Sequence, residues 1–287
     1  MEKNILKRVA SLALAVVMML SVLVVVDPQG VSAADDYITK TIKNASGRQS
    51  VVITDEECYG DSGYVDGYYV SYGTQKMCYI KFKAKADGYV KFSASPSTVL
   101  DNYADGTWAL YTKPNVSSRV SYTDPFDTSS SSSWMKSEFF GVKKNKTYYL
   151  GVKAYTGVKI TAQFTNVKES SGKNKGKAKT IGQKKTIKGT IGANSKEADW
   201  YKFKLSKTQY VKISCAAKTN SAIKFSVYEG SRNLGSISPD YKNSSKSSYI
   251  TNYANRKIKC NKGTTFYVKV ERQNSNASGY YTLKWSS

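Results

Sequence analysis

Histidine is absent from this 287-residue sequence. Histidine is the usual general base at neutral pH and a common metal ligand, so its absence excludes every catalytic triad that contains it. No serine stands in the Gly-x-Ser-x-Gly motif that marks a nucleophile elbow. The sequence therefore predicts a protein without catalytic activity, with an unrecognised enzyme site as the alternative.

Cysteine is scarce, with four residues in the chain. Cys58 and Cys78 lie in the first half, and Cys215 and Cys260 lie in the second. Because no two of them form a Cys-x-x-Cys pair, a zinc site is disfavoured. An even number of cysteines in an exported chain favours disulfides, and we expect one bridge in each half. Four reduced, buried thiols are the alternative.

The first 33 residues have the pattern of a bacterial export signal. Basic residues precede an apolar run at 9–26, and Val31-Ser32-Ala33 gives the small-x-small cleavage pattern. We expect a secreted protein whose mature chain starts near Ala34, either released or associated with the cell surface. The apolar run is just long enough to span a bilayer, so an uncleaved membrane anchor is the alternative.

Beyond the signal, helical periodicity is missing and period-two alternation recurs. Residues 79–84, for example, place Ile80 and Phe82 on one face and Lys81 and Lys83 on the other. Turn residues separate such segments at short, regular intervals. This pattern predicts an all-β protein of antiparallel, jelly-roll-like β-sandwiches.

An internal repeat appears when the chain is shifted by 121 positions. Lys81-Phe82-Lys83 then falls on Lys202-Phe203-Lys204, and Tyr89-Val90-Lys91 falls on Tyr210-Val211-Lys212. The repeat predicts two tandem copies of one domain. The predicted parts are a signal peptide at 1–33, a first domain at 34–168, a linker at 169–176 and a second domain at 177–287.

The second copy carries the motifs of a known family. Residues 187–191 form a Gly-x-Ile strand, and residues 197–205 form an acidic-x-acidic-aromatic-Tyr-x-Phe strand. Over residues 177–285 the chain resembles the bacterial pre-peptidase C-terminal domain. The first copy has Cys78 where the second has Asp199 and lacks the acidic pair, so it resembles the family as a strongly diverged copy.

The resemblance implies a jelly-roll-like sandwich that accompanies secreted peptidases and, in collagenase relatives, binds Ca²⁺ and matrix protein. On this resemblance Glu197 and Asp199 are candidate ligands of a structural Ca²⁺. The alternative is that these two carboxylates cap the turn before a strand. The resemblance implies no catalytic role, because it covers an accessory domain.

The richest candidate for ligand binding is the segment 59–72, where tyrosines alternate with Gly, Ser and Asp. This composition is typical of recognition loops, although tyrosine is also common on β-sheet surfaces. Tryptophans would add stacking surface where they are exposed, and core packing is the alternative for each of them. The candidate residues are Tyr59, Tyr64, Asp66, Tyr68, Tyr69, Tyr72, Trp108 and Trp134.

Positive charge dominates the sequence, with 44 Lys and Arg against 21 Asp and Glu, a net charge of +23. Such a charge favours polyanions, bound in a salt-dependent manner without specific recognition of nucleic acid. The densest run of lysines has an alternative interpretation, a linker that repulsion between like charges keeps extended. The candidate polyanion-binding residues are Lys173, Lys175, Lys177, Lys179, Lys184 and Lys185.

These observations predict a secreted, non-catalytic module that attaches to an extracellular glycan or anionic cell-wall polymer. The alternative is a protein-interaction or structural factor at the cell surface, accessory to exported enzymes. In that case the partner would be another exported protein.

Overall fold

The structure is a computed structural model that describes residues 37–43, 45–59, 62–65, 68–71, 75–97, 103–129 and 137–287. The predicted signal peptide lies outside the described residues. Within the described ranges, no helix is long and apolar enough to cross a membrane.

The first half of the chain forms two sheets with one short helix, α1 (Asp55–Tyr59). Its strands are β1 (Tyr37–Ile42), β2 (Arg48–Ile53), β3 (Ser62–Val65), β4 (Tyr68–Ser71), β5 (Met77–Lys83), β6 (Gly88–Pro96), β7 (Asp105–Tyr111), β8 (Asp124–Asp127), β9 (Ser137–Val142), β10 (Thr147–Ala154) and β11 (Val158–Asn166). The sheet orders are β1-β5-β10-β7-β8 and β2-β11-β6-β9, and β3 pairs with β4 in a separate hairpin.

The second half forms a sandwich with corresponding sheet orders, β12-β14-β19-β16-β17 and β13-β20-β15-β18. Its strands are β12 (Lys179–Thr180), β13 (Ile187–Ile191), β14 (Asp199–Lys204), β15 (Lys212–Thr219), β16 (Ile223–Glu229), β17 (Arg232–Ile237), β18 (Ser245–Tyr249), β19 (Thr265–Arg272) and β20 (Gly279–Ser286). Each sandwich thus has a five-stranded and a four-stranded sheet. Two 3-10 turns, Val116–Ser118 and Lys175–Lys177, lie outside the strands.

The prediction of an all-β, sandwich-type protein is confirmed. Period-two alternation produces the observed burial, since Ile80 and Phe82 are buried while Lys81 and Lys83 are exposed. One parallel pair in each sandwich, β1 with β5 and β12 with β14, departs from the antiparallel pattern. In both cases a strand from the start of the copy joins the edge of the five-stranded sheet.

Trp108 belongs to the core of the first sandwich. Its side chain is 1% exposed, and its ring centroid lies 4.9 Å from that of Phe126. The Trp108 side chain on β7 lies between the two sheets. Burial of a large ring there contributes more to stability than the same ring would at the surface. The prediction that Trp108 binds ligand is therefore wrong.

All four cysteines are free, buried thiols. Burial raises the pKa of Cys58, Cys78 and Cys215 to about 12. In the second sandwich, Cys215 Sγ donates to the carbonyl of Lys246 and Cys260 Sγ to that of Ile258. The predicted disulfide in each half is not formed in this structure. The structure instead shows the alternative, reduced thiols that pack as small apolar groups.

The two sandwiches contact each other along β9. Gly141 lies so close to the second sandwich that a Cβ there would sit 2.0 Å from the Ile191 carbonyl oxygen and 2.7 Å from the Gly279 nitrogen. The Ala193 N–H donates to the Gly141 carbonyl at 2.9 Å, and Lys143 Nζ donates to the Thr190 carbonyl at 3.2 Å. Residues 36–287 accordingly form one compact unit.

The segment predicted as a linker is fixed against the second sandwich. Gly172 and Trp200 exchange two backbone hydrogen bonds of 3.0 and 2.8 Å. The side chain of Asn174 then accepts from the Lys177 N–H and caps the 3-10 turn. Because backbone groups are paired with β14 on one side, the segment continues the sheet rather than acting as a free tether.

Candidate functional site

The tyrosine-rich segment is described only in part. Asp66, Tyr72 and Trp134 lie outside the described residues. For Tyr59, Tyr64, Tyr68 and Tyr69 the structure describes the backbone, which places Tyr59 at the end of α1 and the other three in the β3–β4 hairpin. Their role in ligand binding stays a prediction.

A different surface emerges from the four-stranded sheet of the first sandwich. Its outward positions carry hydroxyl groups and cations, and no Asp or Glu occupies an outward position of these four strands. Ser50, Thr161, Ser93 and Ser137 form one row across all four strands. The outward cations are Arg48, Lys91 and Lys159.

This sheet surface contains a groove of about 420 Å³. It is lined by Arg48, Lys91, Ser93, Ser95, Thr161 and Gln163. Every polar side chain in that set can donate a hydrogen bond, and two of them carry a positive charge. The groove therefore suits the oxygens of a phosphate, sulfate or carboxylate group.

The four-stranded sheet of the second sandwich repeats this chemistry. Along the described strands β13, β15, β18 and β20, the outward positions again include no acidic residue. Ser214, Ser247 and Thr282 supply hydroxyl groups between the cations. The outward cations are Lys188, Lys212, Lys218 and Lys284. We call the seven cations of the two sheets and the hydroxyl groups between them the cationic face.

The two halves of the cationic face meet at an aromatic junction. The ring centroids of Tyr89 and Tyr280, from different sandwiches, are 5.3 Å apart, and those of Tyr89 and Phe139 are 6.0 Å apart. Lys218 Nζ lies 5.5 Å above the Tyr89 ring and 3.4 Å from its hydroxyl. Lys91 Nζ lies 5.7 Å from the Phe139 ring. Cation–π contact thus holds lysines of both sheets at the seam.

Sequence reasoning missed the cationic face and assigned polyanion binding to the lysine-rich run instead. Five lysines of that run, Lys173, Lys177, Lys179, Lys184 and Lys185, are exposed, while Lys175 is half-buried. Lys179 lies in β12, three of the others precede that strand, and Lys184 and Lys185 lie between β12 and β13. A signal for the cationic face was present, because the outward positions of the alternating strands lack acids in the sequence itself.

Asp199 and Glu169 form a buried polar cluster where the linker segment meets the second sandwich. Tyr281 donates to Asp199 Oδ2 at 2.7 Å, and Ser171 Oγ lies 2.8 Å from an oxygen of each carboxylate. Burial, and then the neighbouring Glu169, raise the pKa of Asp199 to about 7. For Glu169, burial is outweighed by hydrogen bonds and by the Lys143 charge, so its pKa is lowered.

This arrangement bears on the predicted Ca²⁺ ligands. Glu197 is exposed, whereas both oxygens of the buried Asp199 already accept protein hydrogen bonds. Both residues line a cavity of about 330 Å³ whose other charged lining residues are Asp87, Glu169, Lys143 and Lys173, so carboxylates and cations are mixed there. No three Cys, Asp or Glu side chains of the described chain come together as a metal cluster. The pair does not fit Ca²⁺ as it stands.

A second buried carboxyl pair lies inside the first sandwich. Glu138, on β9, is 2% exposed, and neither of its carboxyl oxygens accepts a hydrogen bond from an N–H or hydroxyl donor of the described residues. Burial, and then the charge of Asp124, raise the pKa of Glu138 well above its usual range. Burial and the neighbouring Asp124 therefore both favour the protonated, neutral form of Glu138.

No protein-family model and no curated protein matches this chain. Among solved structures, it is similar to the pre-peptidase C-terminal domain of a collagenase from Bacillus anthracis, with 18% identity over 42% of this chain and 100% of that chain, at a TM-score of 0.30. It is also similar to tripeptidyl peptidase 2, with 11% identity over 74% of this chain and 21% of that chain, at a TM-score of 0.25.

A third similarity is to the tandem CBM22-1–CBM22-2 domain of Xyn10C from Paenibacillus barcinonensis. It has 12% identity, covers 84% of this chain and 91% of that chain, and has a TM-score of 0.21. Such low identities and TM-scores assign neither a family nor a function. The membership suggested by the motifs of the second copy therefore stays a prediction.

Proposed function

We propose that this protein is a secreted, non-catalytic binding protein that attaches to an extracellular anionic polymer through the cationic face. One observation carries the proposal: the outward positions of both four-stranded sheets combine cations with hydroxyl groups and include no acid on the described strands. The net charge of +23 would draw such a polymer from a distance.

The spacing of the cations favours a polymer over a small ligand. Lys212 and Lys218 lie on the same side of β15, which at roughly 3.4 Å per residue separates them by about 20 Å. Lys218 then contacts Tyr89 of the other sandwich, which extends the charged surface onto the first sheet. A small anion would meet one or two of these charges, whereas a chain with repeated acidic groups meets several at once.

The test is retention of the purified protein on insoluble acidic polysaccharides and on purified cell walls, at low and high salt. The double variant Lys91→Gln/Lys218→Gln should bind roughly 2- to 30-fold more weakly at low salt, since an exposed ion pair contributes about 0.2–1 kcal/mol. The matched control is Lys207→Gln/Lys262→Gln, which removes the same charge from exposed loop positions outside the four-stranded sheets.

Equal losses in the two double variants would contradict the cationic face and leave only generic polycation behaviour. Lack of retention on every polymer, together with a stoichiometric protein recovered from culture supernatant, would favour the interaction-factor alternative. Retention that is insensitive to salt would also contradict an electrostatic mechanism.

We propose Ca²⁺ as a structural ion only in a rearranged form of the Glu197 and Asp199 region, because Asp199 would have to exchange its present hydrogen-bond donors for the ion. A rise in melting temperature with Ca²⁺ that Asp199→Asn abolishes would support this role. Identical melting in Ca²⁺ and in a chelator would exclude it.

A further inference from the structure

The duplication has kept three aromatic residues at equivalent positions on the outward side of each five-stranded sheet. Tyr149 is the cross-strand partner of Tyr111, and Tyr267 is the cross-strand partner of Tyr228. The third position follows from the 121-residue shift. The equivalent pairs are Tyr79 and Trp200, Tyr149 and Tyr267, and Tyr111 and Tyr228.

In the first copy Tyr79 and Tyr111 are packed onto the sheet, while Tyr149 is half-buried. Tyr79 and Tyr111 are only 2% and 3% exposed, and their rings meet edge to face with centroids 5.2 Å apart. The cross-strand partner of Tyr79 is Gly151, and the partner of Gly151 on the next strand is Ala109, so both positions beside Tyr79 in this row are small. A Cβ on Gly151 would sit 2.5 Å from the Tyr111 ring, so the lack of a side chain there allows the rings to close.

In the second copy larger neighbours keep the rings open. Lys269 and Ser226 occupy the positions of Gly151 and Ala109. Because their side chains fill this part of the sheet surface, the Trp200 ring does not pack flat against it. Trp200 and Tyr228 are half-buried, with ring centroids 5.8 Å apart and planes at 35°. Tyr267 is also half-buried. The second copy thus presents an aromatic patch of Trp200, Tyr228 and Tyr267.

A lysine from the segment before the second copy lies at the aromatic patch. Lys175 Nζ is 5.0 Å from the Tyr267 ring centroid and 5.9 Å from that of Tyr228, and it donates to the Gly230 carbonyl. The backbone bonds between Gly172 and Trp200 hold this segment in place. Lys202 adds a second cation, because it is the cross-strand partner of Tyr267.

We propose that the aromatic patch binds one acidic sugar residue of a glycan, with the ring stacked on the aromatic side chains and its acidic group paired with Lys175. Aromatic faces offer flat apolar contact, and the ammonium supplies charge complementarity at their edge. The inference deepens the proposed function by naming the chemistry of the polymer. It uses the opposite sheet of the second sandwich, so it stands or fails separately from the cationic face.

The experiment follows tryptophan fluorescence while the purified protein is titrated with oligogalacturonate, and in parallel with neutral galactose oligomers. Trp200 is suited to report in a Trp134→Phe background, since Trp108 and Trp285 are buried at 1% and 3% exposure. We expect a saturable change with the acidic oligomer. Tyr267→Ala should weaken binding roughly 2- to 10-fold, and the matched variant Tyr149→Ala in the closed first copy should not.

Lys175→Gln distinguishes the preference for an acidic sugar from stacking. This variant should weaken binding of the acidic oligomer and leave binding of the neutral oligomer unchanged. Equal affinity of Tyr267→Ala and the wild type, or an equal loss in Tyr149→Ala, would overturn the site. Equal affinity for acidic and neutral oligomers would overturn the choice of an acidic sugar. The cationic-face variant Lys91→Gln/Lys218→Gln should titrate like the wild type, which distinguishes failure here from failure of the proposed function.

Discussion

Replacing Gly141 by alanine should force the two sandwiches apart. The new Cβ would sit 2.0 Å from the Ile191 carbonyl oxygen, and ordinary contact begins at 3.4 Å. Both close atoms belong to backbone, so neither can rotate away. An opening of more than about 1 Å is required, or β9 must distort by a similar amount.

The expected cost follows from two contributions. Overpacking of this kind costs about 1–3 kcal/mol. The Gly141 carbonyl accepts from the Ala193 N–H and the Gly141 N–H donates to Ser278 Oγ, and these two hydrogen bonds contribute about 1 kcal/mol each. A total of roughly 3–5 kcal/mol lowers the melting temperature by about 6–20 °C in a chain of this size.

Differential scanning calorimetry measures this change, with Gly176→Ala as the control. A Cβ on Gly176 would meet only Asn174 Oδ1, at 3.5 Å, so that variant should melt near the wild type. Gly141→Ala should also bind polymer more weakly although it removes no charge, because the two parts of the cationic face would no longer be held together. Melting within about 1 °C of the control would refute the close contact between the sandwiches.

Three further predictions concern buried groups and salt. Glu138→Gln should make stability less dependent on pH. Burial raises the pKa of Glu138 above its ordinary value of 4.5, so the folded chain binds this proton more tightly than the unfolded chain does. The urea midpoint of the wild type should therefore fall from pH 5 to pH 8 more than that of the variant. The four thiols should resist a thiol reagent at pH 8 until guanidinium unfolds the chain, because burial raises their pKa; fewer than four reactive thiols in unreduced, unfolded protein would show that disulfides form. Retention on an acidic polymer should fall steeply between low and high salt, and a flat profile would count against the cationic face.

Much of the fold was predictable because strands with one buried face record their orientation in the sequence. Alternation at residues 79–84 predicted both the strand β5 and which of its side chains are buried. The repeat predicted that the second half would be built like the first, and the sheet orders correspond strand for strand. Trp108 was misassigned because alternation shows that a strand has two faces, but in a mostly apolar strand it does not show which face is the core.

The sites were less predictable than the strands. The density of lysines in the sequence predicted a polyanion site at residues 173–185. The cationic face instead consists of lysines and Arg48 from strands that are far apart in the chain. The acidic pair Glu197 and Asp199 looked equivalent in sequence, yet one is exposed and the other is buried with a raised pKa. A spacing of two positions in the sequence does not predict how deeply each carboxylate is buried.

The sequence by itself determined the class of fold, the repeated sequence pattern and the excess of positive charge, because local alternation, self-similarity and composition need no knowledge of distant contacts. Only the tertiary structure decided which surfaces those residues create. Strand pairing placed Lys91 and Lys218 at one junction, fixed Lys175 above the rings of the second copy, and closed the equivalent rings of the first copy over Gly151. These outcomes depend on neighbours from other strands, and pairing across a sheet is a property of the folded chain.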